Sequence, residues 1–196
     1  MQTKKYFTTQ RITRIALLAA VASVLFLLEI PIIGFYKLDF SNLPVLLGGF
    51  AMGPLAGFII LFIKSCTGLI SHGLSSMGVG ELADLIFGTA IMLPAVLIYQ
   101  RNKCRRSALV GMAVGTVCLI LSGVLVNAVL LIPFYTKVMG LTNEMILGMF
   151  PAGINSIGKL LFFATAPFNL IKGVSLSILT YILYRYLSPF LHGRRA

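Results

Sequence analysis

The chain has 196 residues, 58% of them hydrophobic and 11% charged, with a mean hydropathy of +0.98. Soluble domains carry about 25% charged residues, so this composition excludes an ordinary soluble protein and describes an integral membrane one. The formal charge of +11 comes from basic residues gathered in short segments between apolar runs, the distribution of the positive-inside rule rather than of a nucleic-acid-binding surface.

The length fits one compact domain, residues 1–196, and leaves no room for a separate extramembrane unit. A basic start (Lys4, Lys5, Arg11, Arg14) leads into a first helix from about Ile12 to Glu29. No small-x-small cleavage site follows before Pro31, so this helix is read as uncleaved. The apolar stretch Leu43–Ile70 is too long for one span of about 20 residues and too short for two ideal ones. Its GGFAMGPLAG segment, with Pro54 among four glycines, predicts a break between two short tilted helices. A polar link, SHGLSSMGVGE, precedes a span from Leu82 to Tyr99. RNKCRR then leads into an apolar run from Ala108 to Pro133, and a last span covers about Ala166–Leu187.

Charge decides the count. With two crossings in Leu43–Ile70, the basic N-terminus, residues 101–106 and the tail (Arg185, Arg194, Arg195) all face the cytoplasm; with one, RNKCRR falls on the wrong side. The expected fold is therefore an all-α membrane protein: a six-helix transmembrane bundle with helices 2 and 3 short and both termini cytoplasmic. Three segments then face outward: residues 34–44, residues 71–81, and the apolar region from about Tyr135 to Thr165, expected to pack as a partial helix at the outer mouth.

Polar residues converge on that outer end: Lys37 and Asp39 in the first loop, Glu81 and Asp84 opening the fourth helix, Asn127 late in the fifth, Asn169 and Lys172 early in the sixth. Lipid offers such groups no partner, so they are candidate functional residues by default. Each also has a purely structural role open to it. The asparagines could hydrogen-bond across helices, Lys172 could pair with Asp84 or Glu81, and Asp39 could cap a turn. Together, beside Phe35, Tyr36, Phe40, Phe134, Tyr135 and Phe168, they suit a largely planar amphiphilic organic ligand.

Other chemistries lack their residues. Cys66, Cys104 and Cys118 match no metal spacing and read as free thiols, while His72 and His192 fall in a loop and the tail. A metal site would need clustered carboxylates, His or Cys, and an enzyme would need a nucleophile with its base; no HExxH or GxSxG occurs. Ala16 and Ala20 form a small-xxx-small pair on the first helix, a face for internal packing or for another protein's helix.

Several motifs match one family: KLDFSNLP after the first helix, GPLAG at the break, GVGELAD, LPAVLIY, VNAVLLIPFY and PFNLIKG. The chain resembles the substrate-binding S components of energy-coupling factor (ECF) transporters, most closely their riboflavin-specific group. The resemblance covers nearly the whole length; LDFS and PFNLIKG are its more specific motifs, whereas many S components share GPLAG and the alanine face. It implies a six-helix membrane protein that binds riboflavin as transported ligand, without a further cofactor, in the plasma membrane of a prokaryote. Partners would be a transmembrane coupling protein and two cytosolic ATPases, with Ala16 and Ala20 at the interface. The implied ligand-binding residues are Lys37, Leu38, Asp39, Phe40, Glu81, Asn127, Asn169 and Lys172. One departure is Asn42, where the family often has an acidic residue after LDFS. Folate, pantothenate or a hydroxymethylpyrimidine is the alternative ligand, and a self-sufficient secondary carrier the alternative function.

Overall fold

The computed structural model describes residues 8–71, 77–151 and 153–192, with side chains as far as 183. Lys4, Lys5, His72, Arg194 and Arg195 lie outside the described residues, as do the side chains of Arg185 and His192.

The described chain is almost wholly helical. Helix α1 (Thr9–Leu27) runs into a two-stranded antiparallel hairpin, β1 (Ile30–Ile33) and β2 (Tyr36–Leu38). Its tight turn places Gly34 at φ +57°, and a Cβ there would lie 2.6 Å from the Phe150 ring. Glycine is thus required both for the left-handed backbone and for the close approach.

Helix α2 (Asn42–Met52) and helix α3 (Pro54–Ser71) meet at Gly53, which has φ +98°, with Pro54 as the first residue of α3. The break lies where GPLAG places it, but the halves are unequal. Rather than two short helices, α2 has 11 residues and α3 has 18, since Pro54 is closer to the start of the apolar stretch than to its end. At about 17 Å, α2 is too short for a full hydrocarbon layer of about 30 Å. All its residues except Ala51 are buried, so it is an interior helix shielded by its neighbours.

Helix α4 (Val79–Arg101) and helix α5 (Arg105–Val126) form the most extensive helix pair. α5 does not stop near Pro133. It passes through a π turn, Asn127–Leu131, into α6 (Ile132–Lys137). The last long helix likewise starts earlier than expected. Short helix α7 (Asn143–Gly148) is followed by α8 (Ile157–Leu160), a second π turn, Leu161–Thr165, and α9 (Ala166–His192). Each π turn ends two residues before a proline, Pro133 or Pro167. A proline ring cannot accommodate the carbonyl four residues back, and one wider turn lets the helix continue past it.

Among the described residues, five helical segments are long and apolar enough to cross a membrane: Thr9–Leu27, Pro54–Ser71, Val79–Arg101, Arg105–Lys137 and Ile157–Leu183. With α2 between the first two, the segments alternate in direction. One cleft gathers the start of α1, the α2–α3 junction and the end of α4. The opposite end gathers the end of α1, the hairpin and the starts of α4 and α9. Arg11, Arg14, Arg101, Lys103, Arg105 and Arg106 sit at the first end; Glu29, Asp39, Glu81, Asp84 and Glu144, all the acidic residues of the chain, lie toward the second. By the positive-inside rule, the Arg- and Lys-rich end is the one expected in the cytoplasm.

Candidate ligand-binding site

At the acidic end the bundle encloses a cavity of about 290 Å³, near the lower limit for organic-ligand pockets. Six of the eight expected ligand residues line it: Lys37, Asp39, Glu81, Asn127, Asn169 and Lys172. Leu38 and Phe40 are not among its walls. Leu38 pairs with Ile30 in the hairpin, and Phe40 packs against the main hydrophobic core.

The loop after β2 folds around Asp39. Its Oδ1 accepts hydrogen bonds from the Ser41 backbone N–H (3.0 Å) and from the Ser41 hydroxyl, the Asx turn that places an aspartate ahead of a helix. Its Oδ2 accepts from Lys172 Nζ at 2.8 Å, both side chains being almost fully buried. Lys172 thus pairs across the cavity with Asp39. Burial would raise the Asp39 pKa, but the Lys172 and Lys64 ammonium groups beside it outweigh burial and hold it well below the usual carboxylate range.

The second ammonium was missed in the sequence. Lys64 is fully buried in α3, 2.7 Å from Asp84 Oδ2, and donates to Ser41 Oγ (2.8 Å) and Asn42 Oδ1 (3.1 Å). Its signal was present: a lysine inside FIILFIKSCTGLI raises the same question as the one in PFNLIKG. Asn42 therefore accepts from a lysine where the family often offers an acid, and the departure at this position keeps an acceptor.

The amides bond mostly within their own helices. Asn127 Nδ2 donates to the Gly123 carbonyl (2.8 Å) and Asn169 Nδ2 to the Thr165 carbonyl (2.9 Å). Asn127 Oδ1 also accepts from the Tyr36 hydroxyl at 3.4 Å, and that hydroxyl shares a hydrogen bond with Thr165. Burial pushes the Tyr36 phenol up to about 12, against the lowering effect of Thr165. Asn127 opens the first π turn, and Asn169 lies four residues beyond the end of the second. Above them, Tyr36 stacks on Phe168 (centroids 5.0 Å apart, planes at 18°), and Phe35 lies 5.1 Å from Tyr135. Lys37 reaches back to Glu29 at the end of α1.

On the outer face of α1, Ala16 and Ala20 are exposed, whereas Ala19 and Ala22 are buried in the core. The small-residue pair thus faces away from the bundle.

The family model for the ECF transporter substrate-specific component matches residues 10–184. Among curated proteins, the chain is 32% identical to the riboflavin transporter RibU of Staphylococcus aureus (strain TCH60), covering 93% of this chain and 92% of that one. It is 27% identical to the riboflavin transporter FmnP of Bacillus subtilis (strain 168), covering 95% and 96%. Among solved structures, it is similar to one described as "Structure and mechanism of the S component of a bacterial ECF transporter", with a TM-score of 0.72, 29% identity, and 93% and 98% of the two chains covered. With its apolar helices, the chain is a multi-pass cell-membrane protein, and it belongs to the substrate-specific components of ECF transporters.

Proposed function

We propose that this chain is the riboflavin-binding subunit of its transporter. In this reading it captures the vitamin at the outer face and passes it inward with a transmembrane coupling protein and two cytosolic ATPases. The observation that carries the reading is the cavity's mixed lining, aromatic (Phe35, Tyr36, Tyr135, Phe168) and polar (Asp39, Asn127, Asn169, Lys172). A flavin offers the same two kinds of surface: a flat ring system for the aromatic side chains, and a polar ring edge and hydroxylated chain for the polar ones. Amides both donate and accept, which suits alternating carbonyl and N–H groups; the carboxylates of Asp39 and Glu81 accept from hydroxyls. Leu38 and Phe40 act indirectly, holding the loop that carries Asp39. The riboflavin-transporting relatives of nearly equal length support the same substrate.

Titration of the purified protein into riboflavin tests it. Saturable quenching of the flavin fluorescence is expected, with no displacement by folate, pantothenate or hydroxymethylpyrimidine. Absence of quenching together with binding of one of those compounds would reassign the substrate. Riboflavin uptake by this chain alone, driven by an ion gradient, would make it a secondary carrier.

A further inference from the structure

Lys64 is not among the residues that line the cavity, yet two of the cavity's carboxylates depend on it. It meets Asp84 directly at 2.7 Å, and it reaches Asp39 through Ser41: Lys64 Nζ donates to Ser41 Oγ at 2.8 Å, and Ser41 donates to Asp39 Oδ1. Asp39 Oδ2 in turn holds Lys172 at 2.8 Å. One buried chain of contacts, Asp84–Lys64–Ser41–Asp39–Lys172, therefore joins α4, α3, the loop before α2, and α9. Its two ammonium groups balance its two carboxylates. Asn42 Oδ1 at 3.1 Å and the Phe26 ring, with its centroid 5.0 Å from Nζ, complete the surroundings of Lys64.

Burying an ammonium in an apolar helix is costly, and a purely apolar residue at this position would serve packing as well or better. The cost is met only if the charge fixes something. We propose that Lys64 is a positioning residue for the ligand: it sets the orientation of Asp39, and through Asp39 that of Lys172, from behind the cavity wall. This inference rests on the riboflavin reading of the site.

The test is riboflavin fluorescence titration of wild type, Lys64→Met, Ser41→Ala and the double variant between pH 5 and 8 (the range over which exposed carboxylates are ionised). Asp39 meets Lys172 on α9 and, behind Ser41, Lys64 on α3, and it shares the cavity with Lys37 on β2, Glu81 and Asp84 on α4 and Glu29 after α1. Removing Lys64 leaves it one cation fewer among the same carboxylates. Lys64→Met should weaken binding about tenfold or more, and Ser41→Ala by less, with the two effects non-additive because they interrupt one route. The acid side of the affinity profile should move toward neutral pH in Lys64→Met, a shift that loosened packing alone does not produce. If Lys64→Met fails to insert, Ser41→Ala decides by its affinity. Wild-type affinity and pH profile in the variants, with wild type binding riboflavin, would overturn the role of Lys64. Failure of wild type to bind riboflavin would instead overturn the underlying reading.

Discussion

The described residues form two hydrophobic cores of different construction. The larger fills the bundle between α1, α2, α3, α4, α5 and α9; the smaller lies under the hairpin, where Tyr36, Ile132, Ile146, Phe150 and Leu160 are buried. In the bundle, helices approach so closely that a Cβ on Gly115 would lie 2.5 Å from the Ile91 carbonyl oxygen and one on Gly111 2.6 Å from that of Ala95. The cap is built from short pieces, two π turns and a ring of aromatic side chains. The polar network lies at the seam between them. A closely packed base thus holds Lys64, Asp84 and Lys172, while the cap contributes Tyr36 and the loop that carries Asp39.

The largest effect is expected at the seam. Lys172→Ala removes the partner of a buried carboxylate, a change worth about 3–5 kcal/mol. It should lower both the melting temperature in detergent and riboflavin affinity. Replacing Lys172 with Met together with Asp39→Asn should recover stability but not binding. Recovery of both would mean that the pair serves structure alone.

Two glycines eight residues apart on α5 separate the regions. Gly115→Ala forces the α4 backbone away and should cost about 1–3 kcal/mol of stability, with affinity kept by the folded fraction. At Gly123, an added Cβ would lie 2.4 Å from Asn169 Nδ2, the tip of a side chain that can rotate. Gly123→Ala should lower melting less than Gly115→Ala does and weaken binding by about 1–3 kcal/mol, the scale of one mispaired buried polar group. Equal behaviour of the two variants would erase the distinction between packing base and ligand wall.

Acidity should matter less. Since the Asp39 carboxyl is held below its ordinary range, the stabilisation from its pairing is present above that range and is lost only as pH falls beneath it. Melting temperature should therefore be level from about pH 5 to 8 as far as this pair is concerned. A steep loss in that interval would place the titrating group elsewhere.

The smallest effect on binding is expected from Ala16→Trp with Ala20→Trp. These residues face outward at a distance from the cavity, so riboflavin titration should be unchanged while ATP-driven uptake in vesicles with the energising module fails. Normal uptake would remove this face from the partner interface.

Much of this architecture was legible because lipid makes charge informative. The basic clusters ordered the helix directions, and an amide and an ammonium in PFNLIKG marked the cavity. Lys64 lies inside the apolar stretch Leu43–Ile70, and its partners Asp84, Ser41 and Asn42 come from distant positions that only the fold brings to it. The continuation of α5 past Pro133, and of the last helix backward through Pro167, was hidden because proline normally signals termination. A π turn is a backbone solution with little side-chain signature. The partners of Asp39 and Lys172 were likewise beyond reach, since three carboxylates near one ammonium are equivalent until the fold sets distances.

The visible absorption spectrum of the protein, purified from cells grown with riboflavin, is the most direct test of the central claim that the seam holds a flavin. Wild type should carry flavin bands in the blue, and these should be lost from Lys172→Ala and reduced in Gly123→Ala but retained by folded Gly115→Ala. Colourless wild-type protein that also fails to take up added riboflavin would contradict it.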